Sequence, residues 1–232
     1  MPSLSRTTSL LLALPLATLL ACDVDQVETG RNGLIEFTPS ACGRPGCDLS
    51  QGVAIGGAFT IQLRGTEGRS AAELTLGSTA PAVVDVLGQL QGSATPTFQL
   101  VANGQGRADL MVLDRAGFPI DYLSVDVEPI VDLVVDADAP GLARSRRAGG
   151  EQVLEAPTGG LLTLAVSGEA YGDELIGDVQ FLVELDQAIA EAMHATSDVG
   201  RGKLVLDVPA GEHAVLINAP GGARQRIVIV GR

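Results

Sequence analysis

The run Gly57-Ala58-Phe59-Thr60-Ile61-Gln62-Leu63 constrains the fold of this chain more than any other stretch. On an extended backbone Phe59, Ile61 and Leu63 fall on one face and Ala58, Thr60 and Gln62 on the other, the period of a half-buried strand. Similar short runs recur at 33–37, 72–76, 82–87, 97–101, 108–113 and 121–127. They resume at 152–155, 161–166, 179–185, 203–208, 213–217 and 226–230. Turn residues separate them, as in Gly77-Ser78-Thr79-Ala80-Pro81, Asn103-Gly104-Gln105-Gly106 and Arg115-Ala116-Gly117. Aromatic residues make up 3% of the chain and Gly numbers 29. Short β-branched runs punctuated by Gly and Pro predict an all-β sandwich architecture.

The first 21 residues are of a different kind. Arg6 supplies a positive start, Leu10 to Leu20 an apolar run broken by Pro15 and Thr18, and Ala21 a small residue at the end. An apolar run of this length falls well short of the roughly 20 residues that span a bilayer, so it reads as a cleaved signal peptide. Leu19-Leu20-Ala21-Cys22 resembles the lipobox of bacterial lipoproteins. That resemblance implies a diacylglycerol thioether on Cys22, cleavage before it and acylation of the new amine. Two or three acyl chains then hold durably where one, at about 0.8 kcal/mol per buried methylene, holds marginally. The membrane is expected to be the outer one, with the periplasmic face of the inner membrane as the alternative that Asp23 raises. Residues 22–32 read as the lipidated Cys and a polar, flexible tether.

Charge and sulfur content limit the partners and ligands of the mature chain. The full sequence carries a net charge of −13, and losing Arg6 with the leader leaves −14 on 211 residues. Such acidity excludes nucleic acid as a partner and excludes a polybasic hold on anionic lipid. With Cys22 committed to lipid, Cys42 and Cys47 remain, separated by Gly43-Arg44-Pro45-Gly46. A tight turn in an oxidising compartment predicts a disulfide between them, worth roughly 2 kcal/mol by loop entropy. Zinc would need more nearby ligands than two distant His residues provide.

The two halves echo each other. Gly56-Gly57-Ala58-Phe59-Thr60-Ile61 recurs as Gly159-Gly160-Leu161-Leu162-Thr163-Leu164, and Leu100 to Leu113 parallels Leu204 to Asn218 about Gly106 and Gly211. The offsets, 103 and 105 residues, are those of a duplicated domain. Ser78-Thr79-Ala80-Pro81-Ala82-Val83-Val84-Asp85-Val86, followed by Gly104-Gln105-Gly106-Arg107-Ala108-Asp109-Leu110, resembles the bacterial Ig-like repeats of surface proteins. Residues 172–177 and 181–184 are similar to the middle of such a repeat. Val208-Pro209-Ala210-Gly211-Glu212-His213 is similar to its late hairpin, and to one in transthyretin-like modules. The resemblance implies two tandem immunoglobulin-like sandwiches, over 33–128 and 129–232. Two stretches of the second half interrupt the strand pattern. Residues 139–150 read as an exposed loop whose Arg144-Ser145-Arg146-Arg147 is either a dock for an acidic partner or a solvated tip. Leu185 to His194, rich in Ala and Glu, reads as an irregular or short helical insertion.

No nucleophile elbow, metalloprotease, phosphate-loop or dinucleotide motif occurs. His194 and His213 lie 19 residues apart, and His213 reads as a surface residue at a strand start. Asp121, Asp126, Glu128, Asp132, Asp136 and Asp138 crowd the junction of the halves. Carboxylates there suit Ca²⁺, but their alternation with Val125 and Val127 suits the wet face of a strand, and the expectation is no metal and no cofactor. The sequence thus predicts a non-catalytic, lipid-anchored structural or protein-interaction module in the cell envelope. Carbohydrate or peptidoglycan binding is the alternative. Such binding usually uses aromatic platforms, and the chain offers Tyr122 and Tyr171 without any Trp.

Overall fold

A computed structural model describes residues 27–40 and 49–232, apart from 69, 72, 94 and 148–149. Strands β1 (Glu28–Thr29), β2 (Ile35–Ser40), β3 (Val53–Ala54), β4 (Ala58–Gly65) and β5 (Thr75–Ser78) come first. Strands β6 (Val84–Gln89), β7 (Thr97–Ala102), β8 (Gly106–Leu113) and β9 (Pro119–Glu128) complete the first half. The second half holds β10 (Asp132–Asp138), β11 (Ala143–Arg146), β12 (Gln152–Ala156), β13 (Leu161–Ala170) and β14 (Asp173–Glu174). It ends with β15 (Leu182–Leu185), helix α1 (Gln187–Ala192), β16 (Lys203–Asp207), β17 (Gly211–Asn218) and β18 (Arg224–Gly231).

The strand order identifies the architecture. In the first half one sheet runs β1-β2-β4-β7-β6 and the other β3-β9-β8-β5, with β3 parallel to β9. Labelled in chain order from A to G, these are the A-B-E-D and C-F-G sheets of an immunoglobulin-like sandwich, with a short strand parallel to the last. The second half repeats the plan: β10-β13-β16 in one sheet, β12-β18-β17-β15 in the other, and β12 parallel to β18. Where the first half places β6, the second places α1 and the turns after it. The insertion expected at 185–194 is therefore the helix that replaces a strand.

Alternation drives each sheet. In β4, Phe59, Ile61 and Leu63 are buried and Gln62 and Arg64 exposed. Phe37, Leu100, Leu110 and Val125 join them in the first core, while Leu154, Leu164, Leu206, Val215, Ile217 and Ile229 fill the second. Each such side chain contributes about 1.5–3 kcal/mol by leaving water.

The halves interlock through Gly52–Ala58 and Leu175–Asp178. The Ala54 N–H donates to the Ile176 carbonyl at 2.9 Å, and the Ile176 N–H to the Gly52 carbonyl at 3.0 Å. Ala58 and Asp178 exchange two more backbone bonds, at 3.1 and 2.7 Å. Ile176 packs in the first core and Ala54 in the second. Gly57 and Gly177 let the backbones meet, since a Cβ on Gly177 would lie 3.1 Å from the Gly57 Cα.

Several sequence expectations are corrected. The described part of the tether is not free: Glu28 pairs with Phe37 and Thr29 with Glu36. The first long strand spans 35–40, not 33–37, because Gly33 adopts a positive φ and Leu34 turns towards β9. The exposed loop at 139–150 contains β11, paired with β12 through four register positions. Its Arg-rich composition hides a strand that long-range pairing creates. Strand β5 begins three residues later than expected. Strand β15 is shorter than the predicted 179–185 because Val179 and Phe181 pack into the second core and the Phe181 N–H bonds to the Gly200 carbonyl at 2.6 Å instead of to a strand.

Candidate functional site

Cys22, Cys42 and Cys47 lie outside the described residues. The junction acids lie within them and are dispersed. Asp121 faces inward on β9 and is 1% exposed. Its Oδ1 accepts the N–H groups of Asn32 at 2.8 Å and Tyr122 at 2.9 Å, and its Oδ2 those of Leu34 and Ile35 at 2.8 Å each. Four backbone donors fill the acceptor sites of a carboxylate, leaving it nothing for a cation. Asp126 faces outward and receives Arg107 in a fork at 2.7 and 2.6 Å. That hydrogen bond, more than the charge, holds the Asp126 carboxyl below the usual range although burial opposes it. Asp132, Asp136 and Asp138 are exposed on β10, a strand of the other sandwich. Among the described residues, no group of three or more His, Cys, Asp or Glu is placed to hold a metal ion.

The two His residues have different carboxylate partners. His194 Nε2 lies 3.2 Å from Asp207 Oδ1, with both side chains well exposed. His213 stands at the surface but half-buried, its side chain 18% exposed. Its Nδ1 lies 3.0 Å from Asp186 Oδ2 and its Nε2 2.9 Å from the Ala210 carbonyl. Asp186 caps α1, accepting the Ile189 N–H at 3.0 Å on Oδ1 and the Ala214 N–H at 3.1 Å on Oδ2. The Ala210 carbonyl first, and the Asp186 carboxylate with it, hold His213 above the usual histidine value against desolvation. Desolvation pushes Asp186 up, but the amides of Ile189 and Ala214 together with His213 outweigh it, and its carboxyl sits below the usual range. A ring with both nitrogens engaged has neither free to take a proton from a substrate.

The sequence carried a signal for half of this group. Asp186 ahead of Gln187–Ala192 is an N-cap pattern. Its pairing with His213, 27 residues away, left no trace in spacing.

Aromatic exposure concentrates at turns. Tyr171 and Gly172 link Ala170 to Asp173, the paired ends of β13 and β14. Both adopt positive φ, 55° and 93°, as a type I′ hairpin turn requires. Gly172 does so freely, whereas a Tyr in that region is strained, and the residue is 82% exposed. Tyr122 instead lies on the outward face of β9, half-buried. Of the basic run, Arg147 forks to Glu212 at 2.7 and 2.6 Å, and Arg144 donates to the Ala137 carbonyl. Arg146 is exposed on β11. No helix of the described residues is long and apolar enough to cross a membrane.

No family model matches the chain, and no curated protein does. Solved structures similar to it include the adhesin InvE of Yersinia pseudotuberculosis, 16% identical with a TM-score of 0.30, covering 80% of this chain and 60% of that one. Domains 5–6 of the S-layer protein SbsC are 13% identical with a TM-score of 0.31, covering 89% of this chain and 98% of that one. The Bacteroides ovatus glucan-utilization protein SGBP-B, solved with a mixed-linkage heptasaccharide, is 10% identical with a TM-score of 0.33, covering 80% and 45%. The strand order of the two halves, rather than these likenesses, fixes the architecture.

Proposed function

We propose that this chain, a pair of immunoglobulin-like sandwiches, is an envelope lipoprotein held by an acylated Cys22 and acting as a non-catalytic structural or protein-interaction arm. Its modules are 33–128 and 129–232, related by duplication, and a Cys42–Cys47 disulfide closes the loop after β2. The observation that carries the arm is the joint. Ile176 and Ala54 are each seated in the other half's core, and four backbone hydrogen bonds cross between the halves. A joint of that kind makes two modules one stiff body, which suits holding a binding surface at a fixed distance from an anchor. The anchor is supported by Leu19-Leu20-Ala21-Cys22 and by an acidic composition that gives the surface no other hold on lipid.

The experiment is membrane fractionation of the native chain and a Cys22→Ala variant, with mass spectrometry of residue 22. Acyl chains on Cys22, and release of the variant from membranes, are expected. An unmodified Cys22, or unchanged partitioning, would refute the anchor. Thiol titration of the denatured, unreduced protein is expected to find no free sulfhydryl on Cys42 or Cys47.

Tyr171 favours the second reading, glycan or peptidoglycan binding, because an exposed aromatic face on a short turn suits stacking against a sugar ring. Co-sedimentation with peptidoglycan that Tyr171→Ala abolishes would establish it. Co-sedimentation that ignores the substitution, or fails in the native chain, would dismiss this role for Tyr171.

A further inference from the structure

The chain contains two His residues, and no other side chain has an ordinary pKa between about 5 and 8. The two His residues are therefore the side chains to weigh for a switch in that window. The first sits in an exposed ion pair with Asp207 of β16, on the surface after α1. The second stands where three parts of the second sandwich converge: the start of α1, the turn before β17, and β17 itself.

The geometry demands one protonation state. Nδ1 faces a carboxylate oxygen at 3.0 Å and Nε2 a carbonyl oxygen at 2.9 Å, and both of these can only accept. The imidazolium donates to both. Either neutral tautomer presents a lone pair to an oxygen at hydrogen-bond distance, so one contact turns repulsive. Asp186 meanwhile ties the ring to the backbone of Ile189 in α1 and of Ala214 in β17. What it restrains is the crossover from β15, in one sheet, through α1 to β16, in the other. That crossover puts Ile189, fully buried, into the second core.

We propose that His213, Asp186 and the Ala210 carbonyl form a pH-sensitive clasp, which pins the β15–α1 crossover in mildly acidic conditions and slackens it as pH rises. Other charges on the packed elements are engaged elsewhere. Glu191 of α1 accepts from Gln187, Glu184 of β15 from Asn218, Glu212 of β17 from Arg147, and Arg226 of β18 pairs with Glu151. Asp207 of β16 faces His194, and Lys203 is exposed at the far end of that strand.

The direction comes from linkage. His213 is held above its unfolded value, so its contribution is complete below about pH 6.5 and is lost as pH rises through the raised value. Asp186 is held below its unfolded value, so its share is complete above about pH 4 and is lost as pH falls through the lowered value. The clasp is tightest between the two.

Two measurements on the intact chain test it. By NMR, the His213 ring is expected to titrate above the ordinary histidine value. By hydrogen exchange, corrected for intrinsic rates, amides of residues 187–193 are expected to be at least about threefold better protected at pH 6 than at pH 8. Amides of β4 serve as the unresponsive reference. His213→Gln, which keeps a polar side chain and cannot titrate, is expected to abolish the difference, whereas His194→Gln keeps it. Equal protection at both pH values, a His213 ring titrating at or below the ordinary histidine value, or a difference that survives His213→Gln overturns the clasp. Should His213→Gln fail to fold, the two native-chain measurements decide alone.

Discussion

Asp121 is the residue on which the placement of the segment leading into β2 depends. Its carboxylate gathers the backbone of Asn32, Leu34 and Ile35 onto β9, and Gly30 leaves it room, since a Cβ there would overlap the carboxylate. Asp121→Ala strands these donors together with the Tyr122 N–H, all at or near the buried core. Uncompensated buried donors cost about 1–3 kcal/mol each, less where water reaches them, so a loss of about 3 kcal/mol is expected in urea unfolding. A loss under about 1 kcal/mol would mean the cradle is not needed. Gly30→Ala should destabilise in the same assay by displacing the carboxylate. Tyr171 predicts the opposite sign. Its left-handed backbone costs of order 1 kcal/mol that Asn or Gly would not incur, so Tyr171→Asn is expected to raise the urea midpoint. An unchanged midpoint would show that the hairpin holds Tyr171 there without strain.

At the scale of elements, β11 shows how an exposed run of arginines becomes a strand without inviting another. The Arg147 N–H bonds to the Glu151 carbonyl at 2.9 Å. In that register Ser145 and Ala143 turn their backbone groups towards β12, while Arg144 and Arg146 turn theirs to the open edge of the sheet. Charged side chains on an edge keep foreign strands away. Arg144→Val with Arg146→Val is therefore expected to raise self-association in sedimentation velocity, and a monomer at the same concentrations would deny the edge that role. Helix α1 illustrates the complementary case. A six-residue helix has little stability of its own, and this one persists through Asp186 at its start and Ile189 in the core. Asp186→Ala should cost about 1–2 kcal/mol from the lost cap, and the pH dependence at His213 should go with it.

Over the whole molecule the joint makes the two sandwiches interdependent. Calorimetry is expected to show one unfolding transition for the native chain, because neither core is complete without a residue from the other half. Gly177→Val places a branched side chain at φ 116° against the Gly57 backbone and should split that transition or lower its midpoint by several degrees. Two transitions in the native chain would mean the halves melt independently. Much of this architecture was legible in the sequence because the controlling signals are local. The alternation in 57–63 and the Gly-rich turns reflect a buried face and a backbone preference, which neighbours a few residues away suffice to reveal. The 103–105 offset only repeats those local signals in the second half. The helical insertion at 185–194 showed itself the same way, through the propensity of its Ala and Glu residues. What the tertiary structure alone decided was every contact made at long range. Asp121 lies on the inward face of β9 only because the backbone of Asn32 to Ile35, nearly 90 residues earlier, supplies its donors. The acids that look like one cluster along the chain are parted because alternate residues of a strand point to opposite faces and β10 belongs to the other sandwich. His213 meets Asp186 because β15 and β17 pair, and pairing is chosen by burial summed over whole sheets, which no single segment encodes.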